Sequence, residues 1–186
     1  AGSAPLQYWA DVVAEGIINC RIDSEKRDEF RATLRNKPLG SAMLHFVHSS
    51  PSVIQRSKEN VSRHKSDHYY LIQQRRSCAE LEQNGRAAVV QPGDCVLISG
   101  RSTYRIRNQE DMVGMVVAIP SAQLLGWLPE PDAVTATTLP ASAGWGRALA
   151  ATLANFDEKL GELVLSPSVM LDQILAHLAI AAAPEV

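Results

Sequence analysis

The stretch NGRAAVVQPGDCVLISG, from Asn84 to Gly100, leaves the chain little choice of fold. Asn-Gly suits a two-residue type I′ hairpin turn, because both central residues of that turn need positive φ. Pro92 fixes φ at the first central position of a second turn, and Gly93 supplies its left-handed residue. The apolar runs Ala87–Val90 and Cys95–Ile98 are therefore strands set between tight turns. The pattern extends both ways. HYYLIQQRR and CAELEQ precede the stretch, and TYRIRN and MVGMVVAI follow it. Further upstream, GIINCRI, DEFRATL, SAMLHFVHS and SVIQRS have β-like content. In SAMLHFVHS, Ala42, Leu44, Phe46 and His48 share one face, against Met43, His45 and Val47 on the other. From Gly16 to Pro120 the turn signals recur at the spacing of an all-β sandwich or barrel.

After Pro120 the period changes. SAQLLGWL reads as a short helix capped by Ser121. A Pro/Ala/Thr-rich connection runs from Pro129 to Ala143. Trp145, Leu149, Thr152, Leu153, Phe156, Leu160 and Leu163 then fall at helical spacing, which predicts a helix from Gly144 to Leu163. Ser166-Pro167 opens a last helix, with Val169, Leu171, Ile174, Leu175, Leu178 and Ala181 as its stripe. The expected architecture is mainly β with C-terminal helices, an α+β chain. A barrel or jelly roll occupies residues 1–120, and a helical region with two long helices occupies 121–186. At 46% hydrophobic, 186 residues can bury a sizeable core.

Composition also narrows function. A net charge of −2 weighs against an autonomous nucleic-acid binder, which needs a surplus of Lys and Arg on one face. Cys20, Cys78 and Cys95 are odd in number and widely spaced, and read as free thiols in a reducing, cytoplasmic compartment. No apolar run approaches the roughly 20 residues of a membrane span, and no signal peptide is visible. His45, His48, His64 and His68 are the candidate metal ligands. However, His45 and His48 lie on opposite faces of one strand, and no Glu follows His64 and His68 at a useful spacing. No nucleophile elbow, phosphate loop or dinucleotide fingerprint occurs. The expectation is no metal, no cofactor and no catalysis, with a metal-dependent enzyme as the alternative.

A small barrel can still enclose one compact molecule. The polar side chains on its apolar strands are then the candidate contacts: Arg56, His48, His64, Tyr69 and Tyr104. Of Tyr69 and Tyr70 only one can face inward, accompanied by Gln73 or Gln74. An aromatic wall with a guanidinium or imidazole suits a small aromatic or anionic ligand. Seven positions on the Gly144–Leu163 helix exceed what covering one core requires. Leu153, Leu160 and Leu163 fall near one line, which is the candidate surface for a second copy.

The segment HYYLIQQRRSCAELEQNGRAAVVQPGDCVLISGRSTYRI resembles the cupin-type effector domain of AraC/XylS transcription regulators. The likeness is strongest to the FeaR/NphR-like subgroup, which governs catabolism of aromatic acids and amines. YWADVVAE, LGSAMLHFVHSSPSVIQRS and VVAIPSAQLLGWLP resemble further parts of that domain in the same order. The resemblance implies a cupin-like barrel that binds a small, aromatic effector, and a homodimer formed through the C-terminal helices. It implies DNA recognition through a separate helix-turn-helix domain, absent from this chain. It departs from enzymatic cupins, whose His-x-His…Glu set has no counterpart in DHYYLIQQRR, and whose later His position holds Ser102-Thr103-Tyr104.

Overall fold

The computed structural model describes residues 5–156 and 166–183. Its elements in chain order are α1 (Pro5–Gly16), β1 (Arg21–Asp23), β2 (Ala32–Leu39), β3 (Ala42–Ser49), β4 (Ser52–Arg56) and α2 (Lys58–Arg63). There follow β5 (His68–Arg76), β6 (Ala79–Gln83), β7 (Arg86–Val90), β8 (Cys95–Ser99), β9 (Tyr104–Asn108) and β10 (Met112–Pro120). The chain continues with α3 (Ser121–Leu125), a 3₁₀ turn (Pro131–Val134), β11 (Thr138–Leu139), α4 (Gly144–Ala154) and α5 (Pro167–Ala181). All strand pairs are antiparallel. They form one sheet ordered β1-β4-β9-β6-β7 and a second ordered β11-β8-β5-β10-β3-β2.

The turns that constrain the sequence are made as their chemistry requires. Asn84 and Gly85 have φ of 52° and 74°, and Gln83 pairs with Arg86 across a two-residue loop. Gly93 has φ of 97°, and the Asp94 amide closes its turn on Gln91 O at 3.0 Å. Asp94 also holds the turn against the helical layer, because its Oδ1 accepts from Ala141 N at 2.8 Å.

The two sheets face each other, and the second is covered on both sides. Tyr70, Ile72, Val96, Ile98 and Val116 face inward, toward Leu81, Val90, Tyr104 and Ile106 of the first sheet. The alternate residues Leu44, Phe46, Leu71, Leu97, Met115 and Val117 face outward onto α3, α4 and α5. Burial on both faces explains why CVLIS is a continuous apolar run rather than an alternating one. Two side chains fasten α4 to this sheet. Gln73 Nε2 donates to Ala150 O at 3.1 Å. Arg75 Nη2 donates to Leu153 O at 2.9 Å and Phe156 O at 2.6 Å, which satisfies carbonyls at the helix C-terminus. The remaining open side of the barrel is closed by α1. Its Leu6, Trp9 and Val13 fall on one face and pack with Cys20, Ile22 and Phe30.

Three expected boundaries move. GIINCRI is strand only from Arg21, because Ile17 and Ile18 still donate to Val13 O as α1 ends. DEFRATL becomes strand at Ala32, after a run of turns. Ser121 is the first helical residue of α3, and Pro120 occupies the cap. Helix α4 is described to Ala154, so Leu160 and Leu163 lie outside the described residues.

His45 is 1% exposed on β3, and its Nδ1 donates to Asn36 Oδ1 at 2.8 Å. Burial, with the His68 charge as a smaller cause, pushes its pKa down from 6.5 to about 4. Between those values the unfolded chain takes up a proton that the folded chain refuses. Stability therefore falls on acidification, by up to about 1.4 kcal/mol per pH unit. Urea titrations at pH 7 and pH 5 are expected to show this loss. His45→Gln should flatten it, and an unchanged slope in that variant would assign the effect to other groups.

Candidate ligand cavity between the sheets

Between the inner faces lies a cavity of about 100 Å³. Trp9, Val13 and Ile17 of the α1 region wall one side, and isoleucines and valines from both sheets wall much of the rest. None of the lining residues is Asp, Glu, Lys, Arg or His. The titratable groups that do line it are held neutral. Burial pushes the Cys20 thiol up to about 12 against the opposing pull of Arg56, and burial raises Tyr70 and Tyr104 as well. Tyr70 Oη donates to Ile17 O at 3.2 Å and lies 3.1 Å from Ser66 Oγ.

The far end of the cavity, at the last inward position of β9, is polar. Asn108 is 3% exposed, and its Oδ1 accepts from Gln74 Nε2 at 3.3 Å. Its Nδ2 has no hydrogen-bond partner among the described residues. A second, much larger depression of about 1290 Å³ lies over the outer face of the first sheet. It is open and carries both signs of charge, including Arg105 and Arg107 with Glu110 and Asp111. It therefore offers neither enclosure nor a consistent field.

Of the five candidate contacts, the structure places only Tyr104 on the cavity wall. Tyr69 faces the helical layer, and its hydroxyl donates to Asp132 Oδ1 at 3.0 Å. Tyr70 is the inward tyrosine. His48 shares the outward face of β3 with Leu44 and Phe46, and His64 is exposed where α2 ends. Arg56 points inward but does not reach the cavity. Its Nε donates to Gly100 O at 2.9 Å, and its two Nη atoms donate to Asn19 O and His64 O. It is a clasp joining three separate loops, with its donors turned onto backbone carbonyls. Leu153 is fully buried in the core between α4 and the second sheet, so a partner copy cannot reach it. Gln74 and Asn108 supply the cavity's polar end. Alternation along TYRIRN carries the signal for Asn108, since Tyr104, Ile106 and Asn108 must share a face. Among the described residues, no three His, Cys, Asp or Glu side chains come together as a metal site.

The model of the AraC-binding-like domain matches residues 9–182, nearly the whole chain. The chain belongs to the AraC-binding-like domain family. No curated protein sequence matches it. Among solved structures, the AraC-like transcriptional activator CuxR superposes on this AraC-binding-like domain with a TM-score of 0.82 at 19% identity. That match covers 98% of this chain and 69% of CuxR, and it establishes the shared fold. The Clostridium difficile EutQ protein matches at TM-score 0.40 and 8% identity, over 53% of this chain and 75% of its own. A cupin domain of an XRE-family transcriptional regulator from Enterobacter cloacae matches at 0.39 and 10%, over 47% and 95%. The AraC-binding-like domain thus shares the fold of CuxR: two antiparallel sheets with helices packed behind one of them. Among the described residues no helix is long and apolar enough to cross a membrane.

Proposed function

We propose that this domain senses a small effector held between its sheets and passes that binding to a DNA-reading helix-turn-helix domain of the same regulator. The observation that carries the reading is the uncharged, apolar cavity in a chain of the AraC-binding-like family. Such an interior holds a ligand by burial and offers no acid–base pair for catalysis. The effector is a compact, largely apolar molecule of the aromatic acid, aldehyde or amine kind. An apolar cavity of about 150 Å³ admits benzene, so a ring requires this one to open by about half. Helix α1 is the element that gives, since it rests on the barrel's side through a small cluster of its own. The helical region from residue 121 onward transmits the change and pairs two copies of the regulator. A ligand shifts such an assembly only by its differential affinity for the two arrangements. In the clasped geometry Arg56 is not the effector's anchor.

A thermal-shift screen with small aromatic aldehydes, acids and amines tests the reading, because a ligand that binds only the folded state raises Tm by mass action. A hit is expected to raise Tm by several degrees at saturating concentration. Ala79→Leu, which extends a small wall residue into the cavity, is expected to abolish that shift while the chain remains folded. A hit whose shift survives Ala79→Leu would place the ligand elsewhere.

A further inference from the structure

We infer that the molecule held in the cavity carries a neutral hydrogen-bond acceptor, a carbonyl oxygen above all, and that Asn108 Nδ2 donates to it. The inference rests on the effector-binding reading and names the chemistry that reading leaves open. Asn108 is more than nine-tenths buried and lines the cavity, on the inward face of β9 with Tyr104 and Ile106, at the point where the cavity comes nearest the open depression that Asn108 also borders. Its carbonyl is engaged by Gln74, while its amide nitrogen has no partner among the described residues. Buried donors in folded proteins are almost always satisfied, so one left over at the end of an apolar cavity points to what the cavity receives.

The wall also decides the acceptor's charge. No lining residue carries a cation, and Arg56 is turned away onto three carbonyls. A carboxylate seated here would give up its hydration for a single neutral donor, which is unfavourable. A ketone or aldehyde oxygen gives up far less and gains the same bond. The apolar remainder of the ligand then lies along the isoleucines and valines toward Tyr104.

The test uses butanone and 2-methyl-1-butene, a pair of nearly equal shape in which a methylene replaces the oxygen. Both are close to benzene in size, so each calls for the same opening of the cavity of about 100 Å³ that a ring does. Binding is followed in the whole domain by NMR, through the methyl groups of Ile54, Ile72 and Ile98 and the side-chain amide of Asn108. Butanone is expected to bind at least about fivefold tighter than the alkene and to shift the Asn108 amide. In Asn108→Leu that preference should vanish or reverse. Equal binding of the two, with the Asn108 signal still, would overturn the inference and leave the cavity reading standing; the amide would then be satisfied by water. Failure of both molecules to move the wall methyls would overturn the cavity reading itself, and the inference with it. The two-probe comparison in the unaltered protein decides the matter even if Asn108→Leu does not fold.

Discussion

Arg56→Ala is expected to lower Tm by roughly 8–16 °C, from a stability loss on the order of 4 kcal/mol. The side chain is fully buried at the end of β4. Its donors hold the carbonyls of Asn19, His64 and Gly100, which belong to three loops far apart in sequence. Alanine leaves all three acceptors without that donor and a cavity where the guanidinium stood. Each buried group left unsatisfied costs about 1–3 kcal/mol. A buried cation carries its own desolvation penalty, and its removal offsets part of that loss. The offset is partial here because the loops cannot close over the missing fork. Arg56→Lys should recover little, since one ammonium cannot meet three carbonyls in the planar directions of a guanidinium. Arg56→Met, which restores volume without donors, separates the packing loss from the hydrogen-bond loss. Urea and thermal unfolding of the three variants give the order. A Tm within two or three degrees of the parent, with effector affinity lost, would return Arg56 to the binding site.

The sequence made the strands legible because their turns are chemically specific. Asn84-Gly85 and Pro92-Gly93 can do few other things, and the register between β6 and β7 follows from the first of them. The change of period after Pro120 likewise marks where the helices begin. What alternation cannot tell is which face of a strand looks inward when both faces are apolar. Tyr69 and Tyr70 sit side by side on β5, between a barrel interior and a helical layer that are equally greasy. Nothing in HYYLIQQRR separates them, and the structure assigns the interior to Tyr70. The same ambiguity affects β3, where the face shared by Leu44, Phe46 and His48 is the outward one. Arg56 was legible as an inward arginine, but not its partners, because backbone carbonyls from distant loops leave no trace in local sequence. Asn108 is the reverse case. Its strand alternates cleanly with Arg105 and Arg107 outside, so a polar residue at the third inward position stands out.

Leu153→Asp is expected to unfold the domain rather than to separate two copies of it. Leu153 lies within the line that, with Leu160 and Leu163, reads from sequence as a partner-facing surface. In the fold it is fully buried among Phe46, Leu97, Met115 and Leu149, under the end of α4. Two groups anchor the helix there. Arg75 holds the carbonyls of Leu153 and Phe156, and Gln73 holds that of Ala150. The leucine consequently has no path to the surface without breaking that attachment. Exchanging it removes about 1.5–3 kcal/mol of burial and adds several more for a carboxyl group in an apolar core. The sum is a large share of a typical domain's 5–15 kcal/mol. Aspartate is the better probe than glutamate, because its short stem cannot carry the charge back toward Arg75. Trp145→Asp is the control, since Trp145 is 53% exposed at the other end of the same helix. It should leave the far-UV circular dichroism intact, whereas Leu153→Asp should lose the cooperative unfolding transition. If Leu153→Asp instead keeps its transition and sediments at half the parent's mass, the leucine faces a second copy and α4 packs on its own sheet by some other edge.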